Sequence, residues 1–236
     1  MSLGYIRSLR VSLALVALVV ALVSLGAGTA VATEVIVLRS GNASVWNPDP
    51  YISMLAGAGG APLSANPFTP ADFDQACDTT LAIVTQPHPL WLQHLECDPV
   101  AQWIGIDPIA TPGSALFCYT FRIETDCIEQ ANLSFCWASD DNIGDALGGG
   151  PNPDGVYLNG VAVSPSIFGG NYASDTVAPL TDVTGLVAPG TNRLEVYNRD
   201  LGFAVSGVIF SATLEIEACS TPAENTTWGQ VKSLFQ

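Results

Sequence analysis

The chain has 236 residues and a formal net charge of -15 at pH 7, from 22 acidic and seven basic side chains. This charge excludes a general nucleic-acid binder, because few cations are present to neutralise phosphates. Hydrophobic residues make up 48% of the chain, which excludes a disordered protein. The length suits one substantial domain or two small ones.

The first 32 residues have the three parts of a secretory signal peptide. Arg7 and Arg10 lie in the basic start, an apolar run covers residues 11–25, and Ala30-Val31-Ala32 forms a cleavage site. We therefore predict a signal peptide over 1–32 and a secreted protein that is extracellular or held at the cell surface. An uncleaved signal anchor is the alternative, since residues 11–32 are long enough to span a bilayer. After cleavage no second run of membrane length remains, so we expect no membrane contact, and 22 acidic residues stand beside five basic ones.

All six cysteines follow the signal sequence. An even number of cysteines in an exported protein predicts three disulfides. We favour a Cys77–Cys97 pair, because both residues lie in one Pro-rich region and would close a short loop. The pairing of the others stays open: Cys118, Cys127, Cys136 and Cys219.

Residues 33–112 are predicted as an N-terminal strand followed by a loop-rich Pro/Gly segment that packs on the main domain. The strand covers residues 34–38, and repeated proline and glycine breakers follow it. One short helix is predicted over residues 70–77, with Thr69 as its N-cap.

Residues 113–219 show strands at intervals of about ten residues. In 116–124 the residues Phe117, Tyr119 and Phe121 alternate with polar ones, and Phe135 and Trp137 lie on the inward face of the next strand. Asn159-Gly160 predicts a hairpin turn. Further strands are predicted over 176–183, 193–198 and 208–217. The pattern predicts an all-β fold, a two-sheet jelly-roll β-sandwich, followed by a C-terminal tail over 220–236.

The order of these segments resembles the galactose-binding-like jelly rolls of exported, uncharacterised bacterial proteins. The resemblance covers residues 114–217, about half of the exported chain, and two upstream pieces, Asp49-Pro50-Tyr51 and Trp103-Ile104, also fit. It is carried by Tyr119-Thr120-Phe121-Arg122, Phe135-Cys136-Trp137-Ala138-Ser139-Asp140-Asp141-Asn142, Val156-Tyr157-Leu158-Asn159-Gly160, Asp182-Val183-Thr184-Gly185-Leu186, Pro189-Gly190-Thr191-Asn192-Arg193-Leu194 and Ser206-Gly207-Val208-Ile209-Phe210.

The resemblance implies a non-catalytic binding module that recognises a glycan or another extracellular surface ligand. Two alternatives remain open. One is a structural or self-assembling surface protein that associates through exposed strand edges, and the other is a secreted hydrolase. No enzyme motif supports the hydrolase, so we expect no catalytic residues and no cofactor other than a structural calcium ion.

A candidate ligand-binding face follows from strand alternation. If Leu194 and Val196 point inward, the outward face of their strand carries Arg193, Glu195, Tyr197 and Arg199. Arg122 is outward on its own strand. The tyrosine ring could stack on a sugar while the arginines donate hydrogen bonds. Ion pairing of these arginines with glutamates on neighbouring strands is the alternative.

A candidate calcium site lies in one acidic loop. Asp140, Asp141, Asn142 and Asp145 place several oxygen ligands close together in sequence, and Ca²⁺ prefers such oxygens. An ordinary turn rich in Asp and Asn is the alternative, because these side chains bond readily to nearby backbone.

Overall fold

The computed structural model describes residues 32–62, 64, 66–147 and 149–220. Residues 1–31 of the predicted signal peptide and residues 221–236 of the predicted tail lie outside the described residues. Within the described part of the chain, no helix has the length and apolar character needed to cross a bilayer.

Thirteen antiparallel strands and one α-helix make up the described fold. The strands are β1 (Thr33–Arg39), β2 (Pro48–Leu55), β3 (Thr80–Val84), β4 (Ile104–Gly105), β5 (Ala115–Ile123), β6 (Ile128–Asp140), β7 (Asn142–Ile143), β8 (Val156–Leu158), β9 (Val161–Ala162), β10 (Thr176–Val177), β11 (Thr181–Asp182), β12 (Gly190–Arg199) and β13 (Gly207–Ala218). The helix is α1 (Pro70–Asp78), and short 3-10 turns occupy Ala58–Gly60 and Thr184–Leu186.

The strands form one continuous sheet that folds over its own core. Its order is β10-β6-β13-β4-β3-β2-β5-β12-β8-β9, and β1 pairs with β13. Inward side chains of β6 and β13 meet those of β5 and β12 in a single apolar cluster, which includes Phe135, Phe210, Phe117 and Leu194. Packing of two sheet halves across such a cluster is the arrangement of a β-sandwich. The predicted all-β fold is confirmed.

The region predicted as loop-rich supplies three strands to this sheet. Strands β2, β3 and β4 link the β5 side of the sandwich to the β13 side. Prolines obscured β2 in the sequence, and its pairing with β3 is interrupted between Pro48 and Ser53. Residues Thr33–Cys219 form one compact unit.

Two local predictions are confirmed. Helix α1 begins after Thr69, whose side chain accepts from the Asp72 amide while the Asp72 carboxylate accepts from the Thr69 amide. This reciprocal pair satisfies two backbone donors at the helix start. The Asn159-Gly160 turn joins β8 to β9 with φ values of 54° and 76°, as the hairpin signal requires.

The predicted Cys77–Cys97 disulfide is wrong. Cys77 bonds to Cys118, Cys97 to Cys136, and Cys127 to Cys219, so all six cysteines are in disulfides. Cys77 lies in the last turn of α1, which packs on β5, and it therefore meets the outward-facing Cys118. The short sequence separation of Cys77 and Cys97 gave no information about the packing of α1 on β5.

A second apolar cluster covers the outer face of β6 and β13. Trp91 and Trp103 are nearly buried, and their ring centroids lie 4.3 Å apart. They pack on Cys136, Ala138 and Ile209. The Cys97–Cys136 disulfide fixes the same loop to β6. Trp137 packs inward with Phe135, as predicted.

Candidate functional site

The ends of β6 and β12 bring four oxygen-rich side chains together. We call this group the acidic corner: Asp140, Asp141, Asn198 and Asp200. The Asp141 amide donates to the Arg199 carbonyl at 3.3 Å, and the Asn198 amide Nδ2 lies 3.4 Å from the Asp140 carbonyl. Residues separated by almost 60 positions in sequence therefore meet at one end of the sheet.

Asp140 is a buried carboxylate at this corner. Only 7% of the residue is exposed, and the Trp91 indole Nε1 donates to its Oδ2 at 2.7 Å. Burial raises the pKa of Asp140 to about 6, the Trp91 hydrogen bond acts against this rise, and the charges of Asp141 and Asp200 add to it. Ionisation of a carboxyl group in this position is unfavourable unless hydrogen bonds or a positive charge compensate it.

Asn198 contributes a buried oxygen that lacks a partner. The residue is 1% exposed, and its Nδ2 donates to the Ser206 hydroxyl at 2.9 Å. Its Oδ1 accepts no hydrogen bond within the described part of the chain. A buried acceptor without a partner costs about 1–3 kcal/mol, so such an atom points to a ligand.

Backbone amides fix the two other carboxylates of the corner. Oδ2 of Asp141 accepts from the amides of Leu201 and Gly202 at 2.6 and 2.7 Å. Asp200 is fully buried, and its two oxygens accept from Gly113 and Phe203. Asp141 and Asp200 therefore both hold the loop after β12, Asp141 through Oδ2 alone and Asp200 through both of its oxygens.

Exposed apolar side chains border the acidic corner. Leu201 and Phe203 are 42% and 56% exposed in the loop held by Asp141 and Asp200. An exposed aromatic ring beside polar groups can contact the C–H face of a sugar. The corner thus combines oxygen ligands with an aromatic surface.

The predicted calcium residues separate in the structure. Asp140 and Asp141 belong to the acidic corner, but Asn142 lies in β7 and pairs with Arg199 of β12. Asp145 is buried and forms an ion pair with Arg199 Nε at 2.9 Å. In the described residues, the carboxylates of Asp140, Asp141 and Asp145 do not all lie within 4.8 Å of one another. The structure therefore places Asp140 and Asp141 at the acidic corner, whereas the Asp145 carboxylate is engaged by Arg199.

Sequence reasoning missed Asn198, because it lies 58 residues after Asp140 and near the end of the alternating strand β12. A signal was available in Asn198-Arg199-Asp200, where three polar residues end a core strand. Loops that follow core strands often carry functional residues.

The predicted ligand-binding face is not an open patch. Arg122 is exposed and pairs with Glu124, whereas Tyr197 is only 2% exposed. The Tyr197 ring packs edge-on against Phe68 at a centroid distance of 4.8 Å. Strand alternation placed Tyr197 outside the sandwich core correctly, but the α1 layer covers it. Tyr197 therefore offers no stacking surface.

A pocket of about 340 Å³ lies between α1, the β8–β9 turn and β12. We call it the helix-side pocket. It is lined by Phe68, Pro70, Phe73, Asp74, Asn159, Gly160 and Arg193. Arg193, predicted as a ligand residue, lies in this wall and pairs with Asp74 through NH1 at 2.7 Å.

Glu195 lies buried beside the helix-side pocket. It is completely buried, and its Oε2 accepts from the Gly160 amide at 3.2 Å. Its Oε1 is 3.4 Å from Arg193 Nε, an ion-pair distance without hydrogen-bond geometry. Burial raises the pKa of Glu195 to about 7, while the Gly160 hydrogen bond and the Arg193 charge act against this rise. Alternation along β12 predicted that Glu195 points away from the sandwich core, but it did not predict that Glu195 is buried.

No protein-family model matches the chain, and no curated protein matches it. Among solved structures, the chain is similar to a PA14 sugar-binding domain from an RTX adhesin. That match has 14% sequence identity and a TM-score of 0.33, and it covers 70% of this chain and 88% of the other.

Proposed function

We propose that this protein is a secreted, non-catalytic module that binds glycans through calcium at the acidic corner. The observation that carries the proposal is the buried Asn198 Oδ1, which accepts no hydrogen bond in the described part of the chain, at the strand end where Asn198 Nδ2 contacts the backbone carbonyl of buried Asp140. A hard cation bound at this corner would stabilise the buried Asp140 carboxylate and would accept the Asn198 oxygen as a ligand.

Three side chains of this chain would hold the ion: Asp140, Asp141 and Asn198. Carboxylate and amide oxygens are the ligands that Ca²⁺ prefers. The bound ion supplies a positive charge that attracts sugar hydroxyls. Phe203 and Leu201, exposed in the adjoining loop, would contact the apolar face of the sugar ring.

An extracellular location supports this function. Three disulfides persist in oxidising surroundings, and the basic start and apolar run of residues 1–32 fit export. Free Ca²⁺ is also far more abundant outside cells than inside them. The proposed ligand and the proposed location are therefore consistent.

Calorimetric titration of the disulfide-bonded chain with CaCl₂, followed by a glycan array in calcium or in EDTA, tests the proposal. We expect calcium binding, and array signals that EDTA removes. The Asp141→Asn variant should weaken calcium binding at least about tenfold, because it removes a charged ligand.

The Asp126→Asn variant is the matched control. Asp126 is exposed and lies outside the acidic corner, so this variant loses the same charge without losing a ligand. We expect it to bind calcium like the unmodified protein. Equal calcium affinity in both variants, or glycan signals that EDTA leaves unchanged, would contradict a calcium site at the corner.

A further inference from the structure

We infer that the helix-side pocket is a second sugar site, which binds the vicinal diol of a neutral sugar unit without calcium. This inference rests on the proposed function for its ligand class but not for its metal. It concerns different side chains and a different face of β12.

The pocket has one apolar wall and one polar side, which matches the apolar face and polar edge of a sugar ring. Phe68 and Phe73 form an apolar wall, with ring centroids 6.0 Å apart and planes inclined by 62°, and Pro70 extends this wall. Asp74 and Arg193 form the polar side. A pyranose presents C–H groups on a face and hydroxyls along its edge, and a volume of about 340 Å³ accommodates one such unit.

The polar side pairs an acceptor with a donor. Asp74 uses Oδ1 for its contact with Arg193 NH1, and its side chain is 71% exposed. Among the described contacts, Arg193 engages NH1 and Nε, which leaves NH2 for a ligand. Adjacent hydroxyls can donate to the carboxylate and accept from the guanidinium, and such charge-assisted hydrogen bonds are the strong ones.

The surrounding groups restrict the ligand to neutral molecules. Asn159 takes no part, because its Oδ1 accepts from the Arg193 amide and its Nδ2 donates to Leu186 and Asn192. A ligand carboxylate would meet the exposed carboxylate of Asp74. A ligand ammonium would meet the Arg193 guanidinium. Hydroxyl groups avoid both repulsions.

The helix-side pocket and the acidic corner are separate places on one strand. Arg193 and Asn198 are five residues apart in β12, so their side chains point to opposite faces. At a rise of about 3.3 Å per residue, their Cα atoms are about 17 Å apart along the strand. A ligand at one site therefore leaves the other site free.

NMR spectroscopy of the ¹⁵N-labelled, disulfide-bonded chain in EDTA tests the inference. Galactose, mannose and glucose are added in separate titrations, with the Gly160 and Asp74 amides reporting on the pocket and Gly202 on the acidic corner. At least one sugar should shift Gly160 and Asp74 and leave Gly202 in place. If none of the three sugars shifts the pocket amides, the inference is overturned.

Asp74→Ala and Asp78→Ala form a matched pair of variants. Both remove an exposed acid from α1, but only Asp74 lines the pocket. Asp74→Ala should lower the sugar affinity, measured from the Gly160 shift, at least about tenfold. Asp78→Ala should leave this affinity unchanged. Equal affinities in both variants would overturn the inference.

The two proposals fail separately. If calcium binding at the acidic corner is absent while sugars still shift Gly160, the calcium site is wrong and the pocket stands. If calcium-dependent array signals appear while Gly160 never shifts, the second site alone is wrong.

Discussion

Replacement of Glu195 by glutamine should make the protein more stable at alkaline pH. Glu195 is completely buried, and burial raises its pKa from 4.5 to about 7. A carboxyl whose folded pKa is raised binds its proton more tightly in the folded state than in the unfolded state. Stability is therefore greatest below the unfolded value of 4.5 and is lost as the pH rises through about 7.

The size of this loss follows from the shift. Each pKa unit corresponds to about 1.4 kcal/mol, so Glu195 alone should lower the free energy of unfolding by on the order of 2–3 kcal/mol between about pH 5 and about pH 9. Glutamine keeps the shape and does not ionise. The Glu195→Gln protein should match the unmodified protein within about 1 kcal/mol at the acidic end and exceed it at the alkaline end.

Guanidinium unfolding under non-reducing conditions, followed by tryptophan fluorescence, measures both profiles. Glu215→Gln is the matched control, because Glu215 is an exposed glutamate on β13. Its profile should run parallel to that of the unmodified protein. If the Glu195→Gln profile also runs parallel, Glu195 is ionised in the folded protein without cost, and the reasoning is refuted.

Two further predictions concern the layers outside the sandwich core. Replacement of both Cys77 and Cys118 by alanine should lower stability by about 4 kcal/mol in guanidinium unfolding, because their disulfide spans 41 residues; a loss below about 1 kcal/mol would contradict this. Trp91→Phe keeps an aromatic ring beside Trp103 but removes the donor to buried Asp140. It should lower the free energy of unfolding by about 1–3 kcal/mol, measured by thermal unfolding in EDTA. An unchanged unfolding temperature would contradict this prediction.

The sequence was informative wherever one face of a strand meets the core. Alternation in β5, β6, β12 and β13 predicted the inward residues, including Phe135 and Trp137. Local signals also sufficed for α1 and the Asn159-Gly160 turn, because caps and turns depend on neighbouring residues. These signals all act over fewer than ten residues.

The outer layers could not be predicted in the same way. Alternation tells which side of a strand faces away from the sandwich core, but not whether a helix covers that side. Tyr197 and Glu195 are therefore buried on a face that the sequence marks as outward. The Cys77–Cys118 bond and the meeting of Asp140 with Asn198 likewise depend on contacts between distant segments.

The arginines give a reason to expect neutral glycans at both proposed sites. Each of the four arginines in the described part of the chain, Arg39, Arg122, Arg193 and Arg199, lies in an ion pair with a carboxylate. A sulfated or uronic-acid polysaccharide would have to displace these carboxylates and approach a surface with a large excess of acidic groups. A neutral glycan pays neither penalty, and a divalent cation is attracted by the same excess. The excess of acidic groups that excludes nucleic acid therefore also repels anionic glycans. Neutral glycans are not repelled, and we expect the ligands at both proposed sites to be neutral.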